Sequence, residues 1–123
     1  MDANMQDFRN LNVWKNAHTL VLGIYKATKV FPKQEMFGLT SQIQRAAVSI
    51  PANIAEGCGK YTDADFARYV QIAMGSSSEL EYLLLLAHDL SYLPDGDYSN
   101  IHTSLVQVRK MLNALLQTLR RKR

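Results

Sequence analysis

Residues 42–57 read QIQRAAVSIPANIAEG. On a helix turning about 100° per residue, Gln42, Arg45, Ser49, Asn53 and Glu56 fall within an arc of roughly 80°. Leu39, Ile43, Ala46, Ala47, Ile50 and Ile54 fill the neighbouring arc. Apolar positions three and four apart are the pattern of an amphipathic helix. The polar stripe beside them, with Arg45 and Glu56 near its two ends, points to a buried or interfacial role. Solvent alone does not require that mixture.

The same spacing recurs on both sides of this segment. Trp14, Ala17, Val21, Ile24 and Thr28 predict a helix over about 13–30, ended by Phe31-Pro32 because proline disfavours helix at the residue before it. The second helix should start at Phe37 or Leu39 and run to Glu56, stopped by Gly57 and Gly59. Thr62-Asp63-Ala64-Asp65 resembles a capping box, with aspartate in the usual glutamate position. A long third helix follows, on which Phe66, Tyr69, Ala73, Ser76, Leu80, Leu83, Ala87 and Leu90 form one seam. Pro94-Asp95-Gly96 marks a break, after which Ile101, Leu105, Val108, Leu112, Leu115 and Leu119 repeat the seam. No segment alternates with the period of a strand. Four amphipathic helices on short connections predict an all-α, antiparallel up-down-up-down four-helix bundle.

Two local rules are broken. Pro51 lies inside the second helix, at a cost of about 3 kcal/mol in a regular helix interior, and should kink it. Gly75-Ser76-Ser77-Ser78 lies midway along the third, where small residues weaken helicity and should let another helix approach closely.

A chain of 123 residues with 47% hydrophobic and 20% charged residues is read as one globular domain over 1–123. It has a short polar amino-terminal arm over 1–9 and a basic tail over 120–123. Cys58 is the single cysteine, which excludes an internal disulfide and fits a reducing compartment. The opening MDANMQDF is no secretory signal, and the apolar run YLLLLA at 82–87 is far too short to span a membrane. A soluble, cytoplasmic protein with no membrane partner is expected.

Charge is unevenly placed. Residues 1–97 carry 8 Lys or Arg and 11 Asp or Glu, whereas residues 98–123 carry 6 basic residues and no acidic one. Arg109, Lys110, Asn113, Gln117, Arg120 and Arg121 lie mostly off the apolar seam, and Lys122 and Arg123 follow. This edge could track phosphates by charge and shape. A solvated helix face with a frayed tail is the bland reading of the same residues.

Catalytic and metal chemistry find little support. None of the four glutamates stands three residues before a histidine, and His18, His88 and His102 fall on three different predicted helices. One cysteine cannot complete a thiolate site, so no metal or cofactor is expected. Ser49 and Ser76 could face each other across helices near Glu56 or Glu79, yet no histidine is placed as their base. Gly57-Cys58-Gly59-Lys60 lacks the spacing of a phosphate-binding loop and follows a helix rather than a strand. For Arg45, Glu56 and Glu79 the favoured role is an ion-pair network joining the second and third helices, with Ser49 and Asn53 satisfying leftover donors. Trp14 and Tyr69 are read as core or interface aromatics rather than base-stacking platforms.

Three segments resemble a known family, the bacterial four-helix-bundle proteins encoded by intervening sequences within large-subunit (23S) ribosomal RNA genes. In FRNLNVWKNAHTL, Phe8, Leu11 and Trp14 fit its opening pattern. FPKQEMFGLTSQIQRAAVSIPANIAEGCGK is very close to its signature, carrying Gln42, Arg45, Ser49, Pro51, Asn53, Glu56 and Gly57. In IAMGSSSELEYLL, Gly75, Ser76 and Glu79 fit. The resemblance implies a bundle that assembles into a ring, a homopentamer, and it implies no enzyme. A more distant resemblance is to the accessory variability determinant of diversity-generating retroelements, a pentameric barrel that binds nucleic acid and a reverse transcriptase. The expected function is therefore a non-enzymatic, ring-forming bundle binding RNA or DNA through basic surfaces. The alternative is a scaffold or adaptor for a partner protein, such as a reverse transcriptase, without nucleic-acid binding of its own.

Overall fold

The computed structural model describes residues 7–121. It holds four long helices, α1 (Asn12–Thr28), α2 (Leu39–Cys58), α3 (Asp63–Asp89) and α4 (Asp95–Arg121), and no strand among the described residues. Short 3-10 turns, Phe8–Asn10 and Lys33–Glu35, precede α1 and α2. Residues 1–6 of the expected arm, and Lys122 and Arg123 of the expected tail, lie outside the described residues.

Contacts between named residues set the directions. Ser49 on α2 meets Ser76 on α3, while Gly57 on α2 meets Phe66 on α3, so this pair runs antiparallel. His88 meets Asp95 and Ser77 meets Arg109, which makes α3 and α4 antiparallel. Asn16 on α1 donates to the Met111 sulfur, closing α4 against α1, and Gln44 on α2 donates to Thr28 at the end of α1. The bundle is up-down-up-down, as helical spacing and short loops predict.

Ile24, Ile43, Ile50, Ile54, Val70, Leu80, Leu105 and Leu112 are fully buried along its axis. Each contributes about 1.5–3 kcal/mol by leaving water, enough to fix the rotation of every helix about its own axis. The seams differ slightly from a strict heptad. On α4, Leu116 is buried and Leu115 only half-buried, so the buried seam steps one residue later than a strict seven-residue repeat, in the direction of the 3.6-residue turn. On α3, Tyr69 and Ser76 sit half-buried at the edge and Leu90 is exposed, while Ala67, Val70, Ser77 and Leu84 join the core. That helix touches both α2 and α4, so it buries a broad face rather than one stripe.

The helix ends also depart from simple punctuation. Gly57 does not stop α2. It is buried one residue before the end, and a Cβ there would stand 2.8 Å from the Phe66 ring and 2.8 Å from Tyr69 Cβ. Glycine is present at 57 for close packing, and Gly59 is the residue that caps the helix after Cys58. The helix carries on past Pro51, which is buried. Asp95 and Gly96 form the first turn of α4 rather than a break, with the chain turning at residues 90–94. There Tyr92 N–H donates to Ala87 O and Ser91 N–H to His88 O, both at 2.9 Å, the paired bonds of a Schellman ending. Ser91 takes the left-handed position with φ 66°, where glycine is usual. Thr62 caps α3 by accepting from Asp65 N–H at 3.1 Å, as its sequence predicts.

Candidate functional site

The polar stripe of α2 faces α3 at the bundle surface. Ser49 Oγ and Ser76 Oγ are 2.8 Å apart, so the two serines do face each other. Asn53 Nδ2 donates to Ser49 O at 2.8 Å and to Ser49 Oγ at 3.0 Å, fixing that side chain from one turn further along. Around the pair opens a cavity of about 420 Å³ lined by Gln42, Arg45, Ala46, Ser49, Ser76 and Glu79. The small residues of α3 divide their work. Ser76 makes this contact and Ser77 is buried beside α4, but Gly75 is exposed, with nothing within 4 Å of where its Cβ would be. Close approach within the chain therefore explains the serines and does not explain Gly75.

The expected network of Arg45, Glu56 and Glu79 does not form. Arg45 and Glu79 enter no ion pair among the described residues, and Glu56 reaches Lys60 on its own helix at 4.0 Å. Asn53 serves Ser49 rather than a guanidinium donor. All three charged residues are exposed, so solvation removes the need for pairing that burial would impose.

The interhelical ionic network lies instead between α3 and α4. Arg109 Nη1 is 3.0 Å from Glu81 Oε1, and His102 Nε2 is 3.0 Å from Glu81 Oε2. Arg109 also donates through Nε to Ser77 Oγ at 3.3 Å and through Nη2 to Ser77 O at 3.1 Å. Ser77 Oγ in turn donates to Met74 O at 2.7 Å. Bonds from His102 and then Arg109 hold the Glu81 carboxyl below its ordinary 4.5. Tyr98 stacks on His88 at 4.5 Å between ring centroids and packs tilted on His102 at 5.8 Å. His88 Nε2 completes the column at 2.6 Å from Asp95 Oδ1. Sequence reading had no access to Glu81, His88 or His102 in these roles, since only the pairing register of α3 and α4 brings them together.

This network takes Arg109 out of the basic edge. Lys110, Arg120 and Arg121 remain exposed on α4 and in no ion pair among the described residues. Antiparallel packing of α1 on α4 puts exposed Lys15 at the same end of the bundle as Arg120 and Arg121.

A second surface feature surrounds Trp14. Its indole lies parallel to His18 at 4.9 Å with 7° between planes, and Phe8 meets it edge-on at 4.9 Å. With Val21, Val48, Pro51, Ala52 and Ala55 these rings line an open apolar groove between α1 and α2. Trp14 and Pro51 thus belong to a different face from Ser49 and Ser76.

Among the described residues, no group of three or more His, Cys, Asp or Glu is placed to hold a metal. Burial, with the Asp7 carboxylate adding to it, pushes the Cys58 thiol up, which opposes the thiolate a nucleophile needs. No described helix is long and apolar enough to cross a membrane.

The sequence profile of the 23S rRNA-intervening sequence proteins matches residues 9–114. The chain belongs to that family. A solved structure, described as a protein of unknown function from the S23 ribosomal protein family of Bacteroides thetaiotaomicron VPI-5482, superposes with a TM-score of 0.79. It shares 26% identity, over 85% of this chain and 95% of its own. No protein of curated function matches the chain. The segment common to the 23S rRNA-intervening sequence proteins takes in the α2 stripe, the Trp14 groove apart from Phe8, and the Glu81 network. It ends before Arg120, Arg121, Lys122 and Arg123, so this family member carries its densest positive charge beyond the matched segment.

Proposed function

We propose that the protein is a non-enzymatic, self-associating bundle of the cytoplasm that binds structured RNA through the basic carboxyl-terminal end of α4. The observation that carries this reading is the segregation of charge: residues 98–123 hold six basic residues and no acidic one. Their exposed members Lys110, Arg120 and Arg121 have no carboxylate neutralising them among the described residues. A cationic end of this kind binds phosphate by counterion release rather than by reading bases. The family is described by its place in intervening sequences of 23S rRNA, and structured RNA of that kind is a polyanion suited to recognition by charge and shape. Self-association into a homopentameric ring would repeat each basic end, so that weak contacts add by effective concentration. Fluorescence anisotropy of a labelled rRNA hairpin in low salt tests RNA binding, and the absence of any binding there would end this reading. Light scattering after size-exclusion chromatography tests the ring, which a monodisperse monomer would remove.

The groove around Trp14 favours a second reading, an adaptor that docks a partner protein such as a reverse transcriptase and meets nucleic acid only through it. Such a groove, apolar but for His18 and without Lys, Arg, Asp or Glu in its lining, suits a hydrophobic side chain or helix face rather than a phosphate. Affinity capture from native lysate with and without nuclease separates the two readings. A protein partner retained after nuclease, with no RNA bound by the purified chain, selects the adaptor.

A further inference from the structure

We propose that the cavity between α2 and α3 is a binding site for a compact zwitterion of the α-amino-acid type. Arg45 takes its carboxylate and Glu79 its ammonium group.

The cavity, about 420 Å³, falls at the small end of the range of roughly 300–1,000 Å³ usual for ligand pockets. Its two charged residues stand on facing helices in antiparallel register and yet make no ion pair with each other. Elsewhere in the same bundle, Arg109 and Glu81 close to 3.0 Å across a helix pair. An arginine and a glutamate that border one cavity and are ion-paired with no protein group among the described residues are both available to a molecule carrying the two opposite charges.

The lining excludes the other common ligand classes. No aromatic ring borders the cavity, so a nucleobase would find no stacking surface. One arginine faced by a glutamate is poorly suited to a phosphate, which gathers cations and avoids carboxylates. Ala46 is the single apolar lining residue, too little to hold an acyl chain.

The serine pair supplies the remaining donor. Ser49 and Ser76 share one hydrogen bond, and Asn53 already donates to Ser49 Oγ. Two hydroxyl hydrogens are present and the mutual bond uses one, whichever serine gives it. The other is left for an acceptor, and a carboxylate held by Arg45 provides it. Gln42 can donate or accept at the rim. The site lies on the α2–α3 face, away from the basic end of α4, and does not rest on RNA binding.

Amide NMR of the full chain, titrated with glycine, L-alanine, L-serine, L-glutamine, L-glutamate and L-arginine, tests the assignment. At least one should give saturable shifts centred on Gln42, Ala46, Ser49, Ser76 and Glu79. The matching half-ligands, the N-acetyl amino acid and the amino-acid amide, should each bind about tenfold more weakly or worse, since each lacks one charge-assisted bond. Arg45→Gln and Glu79→Gln should each weaken binding by a similar factor and leave thermal unfolding unchanged, because both side chains are exposed and outside the core. The proposal is overturned if no amino acid gives saturable shifts, or if a half-ligand binds as well as its parent. It is equally overturned if these amides shift with protein concentration alone, which would mean that a second copy fills the cavity.

Discussion

Arg109 Nη1 lies 3.0 Å from Glu81 Oε1, and the same guanidinium reaches Ser77 through two further bonds. A cation that the sequence offers for phosphate binding is thus engaged in joining α3 to α4. Arg109→Gln should cost about 1–2 kcal/mol in chemical unfolding, since one ion pair and two hydrogen bonds are lost at a partly exposed site. RNA affinity should change less than twofold when the variant is measured folded. A large loss of RNA affinity with unchanged stability would return Arg109 to the binding surface.

The same network makes stability depend on acid. Bonds from His102 and Arg109 hold the Glu81 carboxyl below its ordinary 4.5, so folded Glu81 keeps its charge to lower pH than unfolded Glu81 does. Its contribution is fully present above the ordinary value and is lost as pH falls through the lower folded value. Melting temperatures between about pH 6 and pH 3 should therefore converge for wild type and Glu81→Gln as the pH drops. Parallel curves would show that Glu81 contributes nothing through its charge.

Two glycines make opposite predictions. Gly57→Ala drives a methyl to within 2.8 Å of the Phe66 ring and Tyr69 Cβ, and should destabilise by about 1–3 kcal/mol. Gly75→Ala meets nothing within 4 Å and should stabilise the isolated bundle by about 0.5–1 kcal/mol through helix propensity. Denaturant unfolding of both variants checks the pair, and equal effects would contradict the packing described at α2–α3.

Ser91 holds the left-handed position of the α3 ending at φ 66°. Ser91→Gly should add about 0.5–1 kcal/mol, because relief of the Cβ clash outweighs the extra freedom of glycine in the unfolded chain. A lower melting temperature would show that the side chain contributes more than its backbone conformation costs.

Sequence periodicity made the fold legible. Ile43, Ile50 and Ile54, or Leu105, Val108 and Leu112, repeat at intervals that only a helix can bury on one side. Positions at the edge of a stripe were not legible, since Leu115 and Leu116 are adjacent and the small mismatch between the helical turn and a seven-residue repeat separates them. Gly57 reads as a helix stop until the ring of Phe66 is seen against it. The meeting of Ser49 with Ser76 could be anticipated from two small polar residues on adjacent helices. The pairing of Arg109, and the lack of an ion pair at Arg45 among the described residues, could not, because the choice among several acidic residues depends on interhelical register and on how exposed each charge is.

The basic end of α4 is tested most directly by the salt dependence of RNA affinity. The measurement compares wild type with a variant in which Arg120, Arg121, Lys122 and Arg123 are all replaced by glutamine. Anisotropy titrations of a labelled rRNA hairpin from about 50 to 200 mM salt give log K against log salt, whose slope counts the phosphates neutralised. Wild type should show a steep negative slope, and the variant weaker binding with a slope shallower by up to about 0.7–0.9 for each contact removed. Equal slopes and affinities for the two proteins, or no binding by wild type at the lowest salt, would contradict RNA binding through this end of α4.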